Sequence, residues 1–145
     1  MSRAERQEFL AGLHVGVIAV TAGDRSLAVP IWYDYEPGGD VWIITGPTTI
    51  KGRALEETRR YSLCAQTEEP PYKYVTVEGP VTAIEQCPTD SMRAMARRYL
   101  GPEMGDAYAE AAAESGDSRV YRMTPEGWYT VDYSKDLDRR AGNEL

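Results

Sequence analysis

The sequence contains few of the side chains that carry acid–base and metal chemistry. Its 145 residues include one histidine, His14, and two cysteines, Cys64 and Cys87. The cysteines form no C-x-x-C pair, so we expect buried thiols rather than a zinc site or a disulfide framework. His14 has no partner that the sequence can assign, and we expect it to be structural. A Ser-His-Asp constellation therefore cannot be argued.

Long apolar runs are absent as well. No segment approaches the roughly 18 apolar residues of a membrane-spanning helix, and residues 1–6 lead into a polar, amphipathic segment without a signal-peptide core. The net charge is −7, from 23 acidic and 16 basic residues. Such a surface repels the phosphates of nucleic acids and of anionic membranes. We therefore expect a cytoplasmic protein that binds neither nucleic acid nor membrane.

Two common phosphate-binding motifs are missing. There is no G-x-x-x-x-G-K-[ST] loop, and no G-x-G-x-x-G opens a βαβ unit. Instead, residues 46–53 form a polar turn that leads into a helix, with Lys51 and Arg53 in or near its first turn. Cations are unfavourable there unless an anion neutralises them. Two interpretations stay open: solvated surface charges, or a phosphate site formed together with the hydroxyls of Thr48 and Thr49.

The remaining pattern predicts one domain over residues 1–134 and a charged, frayed tail over residues 135–145. Hydrophobic residues make up 42% of the chain and charged residues 27%, which is typical of a globular domain. Periodicity and turn signals predict strands over residues 15–21, 26–35, 41–45, 61–66, 73–84, 119–123 and 128–133, and helices over 2–11, 48–60, 88–100 and 102–113. The first three strands form an antiparallel meander, and residues 79–80 indicate a bulge or bend in the fifth. Antiparallel strands with inserted helices favour a small barrel with peripheral helices.

Pro30 interrupts an otherwise convincing strand. Because proline cannot donate to a strand ladder, the strand is unpaired at this point or lies at a sheet edge. One interpretation is simply an edge position or a bulge. The other is that a flat ligand covers the open backbone, and then Trp32 could pack against that ligand or fill the core.

The order of these features resembles the pyridoxamine 5′-phosphate oxidase-like split barrels, and within them the flavin/deazaflavin oxidoreductases. The similarity covers about residues 5–133. The motifs that carry it are Val29-Pro30-Ile31-Trp32-Tyr33, Thr45, Thr48-Thr49-Ile50-Lys51-Gly52-Arg53, Ser62-Leu63-Cys64, Pro70-Pro71-Tyr72-Lys73-Tyr74-Val75 and Val77-Glu78-Gly79. The resemblance implies a mainly β fold, a six-stranded antiparallel split β-barrel of the FMN-binding type, which forms a homodimer with a cofactor in each of two clefts between the subunits.

The resemblance also implies cofactor-binding residues. The strand matching Val29, Pro30, Ile31 and Trp32 lies against the cofactor ring, so the ligand interpretation of Pro30 becomes the preferred one. The segment matching Thr45, Thr48, Thr49, Ile50, Lys51 and Arg53 binds the phosphate, with Lys51 the clearest correspondence. Trp128, with Tyr129 beside it, is expected to reach the cofactor of the partner subunit. No catalytic side chain and no metal ligand is assigned.

The cofactor and the activity follow from the same resemblance. The short Thr-Thr-x-Lys-x-Arg segment favours the deazaflavin F420, with FMN as the alternative and FAD or haem as weaker ones. The chain lacks the longer basic segments of true pyridoxamine phosphate oxidases, which argues against vitamin B6 oxidation. We expect hydride transfer between the bound cofactor and a conjugated hydrophobic small molecule. The alternative is a non-catalytic protein that binds or sequesters flavin, F420 or haem.

Overall fold

A computed structural model describes the backbone of residues 1–142 and the side chains of residues 1–138. The elements in chain order are α1 (Arg3–Ala11), β1 (Gly16–Ala22), β2 (Arg25–Ile31), β3 (Tyr33–Tyr35), β4 (Val41–Thr45), α2 (Ile50–Thr58), β5 (Arg60–Gln66), β6 (Lys73–Gln86), α3 (Thr89–Leu100), α4 (Pro102–Ser115), β7 (Arg119–Met123), β8 (Gly127–Asp132) and α5 (Ser134–Gly142). Every helix and strand that the sequence predicts is present, with small shifts at the ends.

The strands form one curled antiparallel sheet. Its order is β2-β1-β5-β6-β7-β4-β3, and β8 pairs with the first half of the long strand β6. The two ends of this order, β2 and β3, follow each other in the chain with only Trp32 between them. The sheet therefore curls until its two edges meet at Trp32 without pairing, which confirms a split β-barrel with peripheral helices.

The described part of the sheet has eight strands rather than the expected six. The sequence pattern itself shows seven runs, and the run over residues 26–35 breaks at Trp32. Its first half pairs with β1 and its second half with β4, at opposite ends of the sheet. One straight strand cannot follow both partners, so the chain bends at Trp32. This bend turns the predicted meander into the closure of the barrel.

The bulge predicted at residues 79–80 lies slightly later in β6. The pairing of β6 with β7 shifts register between Val81 and Ala83, where β6 passes from one part of the sheet to the other. Gly79 is needed for another reason: a Cβ atom at this position would overlap the carbonyl oxygen of Thr124. The glycine therefore permits the close approach of the β7–β8 turn to β6.

The hydrophobic core fills the inside of the curled sheet. Alternate residues of each strand point inward, and Ile18, Leu63 and Val77 are fully buried there. Tyr61 is also buried, and its hydroxyl lies 3.1 Å from the carbonyl oxygens of both Val41 and Tyr121. Because burial disfavours the phenolate, the pKa of Tyr61 is raised far above its ordinary value.

The segment after residue 134, which we expected to be frayed, forms α5 as far as Gly142. Its first turn makes a tertiary contact that the sequence does not show: the Lys135 ammonium donates to both carboxylate oxygens of Glu5 at 2.9 and 3.0 Å. Glu5 also forms the capping box of α1 with Ser2. The Lys135 contact and the Ser2 amide together lower the pKa of Glu5 to about 2. Residues 143–145 of the predicted tail lie outside the described residues.

In the part of the chain that the structure describes, no helix is both long and apolar enough to cross a membrane.

Candidate functional site

A cleft of about 290 Å³ opens where the bend at Trp32, the start of α2 and the α3–α4 hairpin meet. Two strands, β2 and β4, and the helices α2, α3 and α4 contribute to its walls. The lining residues are Val15, Pro30, Ile31, Trp32, Ile44, Lys51, Met92, Met95 and Tyr108. Four of the residues singled out from the sequence, Pro30, Ile31, Trp32 and Lys51, are thus brought together from two distant segments.

The strand side of the cleft is the edge strand β2. Pro30 is exposed and lies opposite Val17 of β1, while the other edge of β2 pairs with no strand in the described chain. The backbone position of the proline is therefore that of an edge strand. Val29 packs against the core and is not among the residues that line the cleft. That a ring covers Pro30, Ile31 and Trp32 stays a prediction.

Trp32 lies between two tyrosine rings of the α3–α4 hairpin. The ring of Tyr99 is stacked on it, with centroids 5.1 Å apart and an interplanar angle of 6°. The ring of Tyr108 has its centroid at the same distance of 5.1 Å but is tilted by 52°. Trp32 therefore packs against the hairpin and also lines the cleft. The two interpretations of Trp32 drawn from the sequence, internal packing and contact with a ligand, are compatible with each other.

The helix start carries positive charge that nothing in the described chain neutralises. Lys51 is half-buried in the cleft wall and Arg53 is exposed. Among residues 1–138, neither side chain makes an ion pair, although most of the other basic residues do. The first turn of α2 contains no acidic residue. An anion bound here would meet uncompensated charge and the partial charge of the helix N-terminus.

The threonines of this segment divide into two groups. The hydroxyl of Thr49 caps α2: it accepts from the Gly52 amide at 3.0 Å and donates to the Gly46 carbonyl at 2.8 Å. Thr45 is buried and its hydroxyl lies 3.3 Å from that of Thr49. Both hydroxyls are thus used within the turn. Thr48 is exposed, and it makes no side-chain hydrogen bond with another described residue.

Gly52 fixes how α2 begins. A Cβ atom there would overlap the carbonyl oxygen of Gly46, so only glycine lets the first turn of the helix lie against residues 46–47. This close packing places Lys51 toward the cleft. Ile50, in the same turn, is 68% exposed and does not line the cleft.

Trp128 lies away from this cleft. Its ring packs against the core, with the Arg6 guanidinium 4.6 Å from the ring centroid and the Tyr35 ring at 6.1 Å. It lines a separate groove between α1 and the turns near residues 38–40 and 124–126. The neighbouring Tyr129 points to the opposite, outer face of β8 and is 64% exposed. The contact of Trp128 with a partner's cofactor stays a prediction. Within its own chain, the Trp128 side chain faces the core and the separate groove, not the cleft at Trp32.

Five lining residues were not predicted as site residues: Val15, Ile44, Met92, Met95 and Tyr108. Ile44 carried a usable signal, because it is an apolar residue on the outward phase of β4. Met92 and Met95 recur at helical spacing, which by itself indicates packing residues, and Met95 is indeed buried. Tyr108 had no distinguishing signal, since its position depends on how α4 packs on α3.

The chemistry of the cleft is sparse. Lys51 and Tyr108 are its only titratable lining residues in the described chain. His14 lies at the end of α1, where its ring stacks on Phe9 at 4.5 Å and its Nε2 lies 3.0 Å from the Phe9 carbonyl oxygen. Residues 1–138 also contain no cluster of His, Cys, Asp and Glu suited to a metal ion. The arrangement can bind a flat molecule and an anion, but its side chains offer no nucleophile–base pair.

Comparison with known proteins agrees with this architecture. Residues 2–132 match the family described as pyridoxamine 5′-phosphate oxidase. No curated protein matches the sequence. Similar solved structures include a conserved hypothetical protein from Mycobacterium tuberculosis, with a TM-score of 0.70 and 19% identity over 92% of this chain and 86% of that one. An F420 reductase has a TM-score of 0.68 and 18% identity, over 85% of this chain and 94% of that one.

A third similar structure is a haem-binding protein from Mycobacterium smegmatis, with a TM-score of 0.61 and 19% identity over 92% of this chain and 59% of that one. At these identities the structural neighbours establish the fold alone. The family match covers nearly the whole described chain. The chain therefore belongs to the pyridoxamine 5′-phosphate oxidase family.

Proposed function

We propose that this protein is a cytoplasmic oxidoreductase that uses F420, or alternatively FMN, to reduce a conjugated hydrophobic small molecule. The observation that carries the proposal is the pairing, in one cleft, of an unneutralised cation at a helix start with an apolar and aromatic wall. A cofactor with a phosphate on one end and a flat ring on the other has matching chemistry. The family membership and the F420 reductase among its structural neighbours support the same proposal.

The residues proposed to hold the cofactor fall into two sets. Lys51, Arg53 and Thr48 would bind its phosphate, because their charges and hydroxyl have no partner among the described residues. Pro30, Ile31 and Trp32 would contact its ring from the edge strand. The bound cofactor would supply hydride transfer, which the side chains of the cleft cannot perform themselves. The protein's part would be to orient two flat molecules and exclude water.

We further propose that the active form is a homodimer. The register aligns Pro30, Val17, Cys64, Thr76 and Tyr129 in one row across five neighbouring strands. The residues next to this row, such as Ile18 and Leu63, are buried in the core, so the row itself faces outward. It carries no charged residue and begins at the cleft. A second copy packed on this face would cover apolar area and enclose the cofactor site.

Titration of the purified protein with F420 and with FMN tests the proposal. We expect a Kd of about 1 µM or lower for one of them, equivalent to roughly −8 kcal/mol or stronger. Lys51→Gln should raise this Kd about 10- to 100-fold, because a hydrogen bond to a charged group contributes about 1.5–3 kcal/mol. Arg25→Gln is the matched control: Arg25 is exposed, makes no ion pair with a described residue and lies outside the cleft.

The outcomes separate clearly. If the wild-type protein binds neither F420 nor FMN, the proposed function is rejected. If it binds one of them but Lys51→Gln binds equally tightly, the phosphate is held elsewhere and the assignment of Lys51 is wrong. A loss of affinity in Arg25→Gln would mean that only overall charge matters.

A non-catalytic binding protein is the second candidate, since a haem-binding protein shares the fold and two thioethers, Met92 and Met95, line the cleft. Haem titration followed by visible spectroscopy tests this ligand directly. For F420 or FMN, the two candidates differ in turnover. Rapid mixing of the reduced complex with a quinone should oxidise it within seconds for a reductase and leave it reduced for a carrier.

A further inference from the structure

The cleft has a second wall, formed by residues outside the proposed cofactor-binding segments. Met92 and Met95 of α3 and Tyr108 of α4 line the cleft together with the strand-side residues Pro30 and Trp32. The two walls come from different parts of the chain and have different chemistry. Cationic and backbone groups lie at the strand and α2 side, whereas the helical side presents thioethers and a phenol ring.

The position of Tyr108 is built into the hairpin. Gly105 lies against the backbone of α3, where a Cβ atom would come within 2.6 Å of the Arg97 Cα. Tyr108 follows three residues later and therefore lies on the same side of α4. This close packing brings its ring to the face of Trp32, with centroids 5.1 Å apart.

The two tyrosines that flank Trp32 differ in how their hydroxyls are used. The Tyr99 hydroxyl accepts from the Tyr33 amide at 3.1 Å and lies 2.6 Å from the His14 carbonyl oxygen. It ties α3 to the bend of the barrel. The Tyr108 hydroxyl makes no hydrogen bond with any described residue, and the side chain is 47% exposed. Tyr99 is thus a structural anchor, while Tyr108 presents a ring and a free donor to the cleft.

We propose that Tyr108 is a specificity-determining residue that binds the substrate, selecting a flat conjugated molecule that carries a carbonyl oxygen. Its half-exposed ring provides a stacking surface beside Trp32, and its hydroxyl donates to the carbonyl. Met92 beside it supplies an adaptable apolar contact. That this molecule is reduced rests on the proposed function. That the cleft binds a flat carbonyl compound rests on the residues that line it.

The test uses duroquinone, a flat quinone whose ring has no hydrogen for a cysteine thiol to replace. Equilibrium dialysis against cofactor-free protein compares the wild type with Tyr108→Ala, Tyr108→Phe and Tyr133→Ala. Tyr133 is the matched control, because it is equally exposed at 47% but does not line the cleft. Urea denaturation of each variant verifies that the hairpin remains folded.

We expect Tyr108→Ala to raise the Kd for duroquinone about tenfold, since the variant loses both the aromatic contact and the hydrogen bond of the hydroxyl. Tyr108→Phe retains the ring and should raise it about two- to tenfold. Tyr133→Ala should leave it within twofold of the wild type. In the cofactor-loaded enzyme, the Tyr108 variants should raise the KM for duroquinone while the Kd for F420 or FMN stays within twofold.

Failure of this inference differs from failure of the proposed function. If the protein binds its cofactor and reduces duroquinone but the Tyr108 variants change neither Kd nor KM, Tyr108 is not a substrate contact. If no cofactor binds but the dialysis series shows the expected order, the proposed function fails and the cleft remains a quinone site. Equal losses in Tyr108→Ala and Tyr133→Ala would also overturn the inference.

Discussion

Lys51 and Tyr108 show how two single residues acquire a role from their surroundings. Each is ordinary by type, and each lines the same cleft without a hydrogen-bond or ion-pair partner for its polar group among the described residues. Most other basic side chains are paired with carboxylates, as Arg60 is with Glu78 at 2.7 Å and Arg97 with Asp106 at 2.6 Å. An unpaired group in a concave site has hydrogen-bonding capacity left for a ligand.

His14 differs from these two residues, because its ring already has intramolecular partners in Phe9 and the Phe9 carbonyl oxygen. Burial lowers the pKa of His14 below its ordinary value of 6.5, and the nearby Arg98 acts in the same direction. The unfolded chain therefore binds this proton more readily than the folded one. The contribution of His14 to stability is complete above pH 6.5 and is lost as the pH falls from 6.5 through the folded-state pKa.

This difference predicts a pH effect that one residue controls. Because His14 is the only histidine, urea denaturation between pH 7.5 and 5.5 should show a loss of stability with a slope of at most about 1.4 kcal/mol per pH unit. His14→Gln keeps an N–H donor for the Phe9 carbonyl but does not titrate, so its stability should change little over this range. The same slope in both proteins would contradict the assignment.

At the scale of elements, the α3–α4 hairpin connects the closure of the barrel to the cleft. Tyr99 holds α3 at the bend, where its hydroxyl contacts the backbone of both His14 and Tyr33. Arg98 adds a bond to the Gly12 carbonyl at 2.9 Å. The hairpin is therefore fixed at the α3 end, and α4 depends on its packing against α3 through Gly105.

The substitution Gly105→Ala tests that packing, because the sign of the change in unfolding free energy distinguishes two expectations. Helix propensity alone would make alanine more stable than glycine by about 1 kcal/mol. The contact with the Arg97 backbone instead predicts a destabilisation of about 1–3 kcal/mol, because the added methyl group forces the helices apart. Urea denaturation measures the difference. Ala111→Gly, at an exposed position of the same helix, gives the propensity contribution separately, and a more stable Gly105→Ala protein would contradict the packing argument.

At the scale of the whole molecule, the curled sheet has one outward face that no element among the described residues covers. The row from Pro30 through Val17 to Tyr129 faces outward and is uncharged, although the chain as a whole carries a net charge of −7. A charge-free band on an acidic surface is what self-association requires, since it avoids like-charge repulsion between two copies.

The proposed homodimer predicts that one charge on this face separates the subunits. Light scattering after size exclusion should give the wild type about twice the chain mass of 16.2 kDa. Val17→Glu should be monomeric at micromolar concentration, because it puts an unpaired carboxylate of each copy into the proposed interface, which costs several kcal/mol. Met104→Glu is the control, an apolar-to-acidic change at an exposed site on α4. A monomeric wild type, or a dimeric Val17→Glu protein, would contradict the proposal.

Most elements of the fold could be predicted from the sequence because their signals are local. The Ser2–Glu5 capping box, the alternation in β4 and the break at Gly101-Pro102 each act within a few residues, and the structure shows all three. The family could be predicted as well, because the order of short motifs such as residues 29–33 and 48–53 survives in the linear chain. Lys51 stood out because its charge opposes the helix dipole.

The features that depend on tertiary structure are the contacts between segments distant in sequence. The break at Trp32 arises because two halves of one run pair with opposite sheet edges, and Lys135 of α5 contacts Glu5 of α1. Tyr108 enters the cleft only through the packing of Gly105 on Arg97. Local patterns determine which residues form helices and strands, since hydrogen bonding and side-chain periodicity act over short separations. Which unpaired groups face each other is decided by the closure of the sheet and the docking of the hairpin, whose energies come from contacts far apart in sequence.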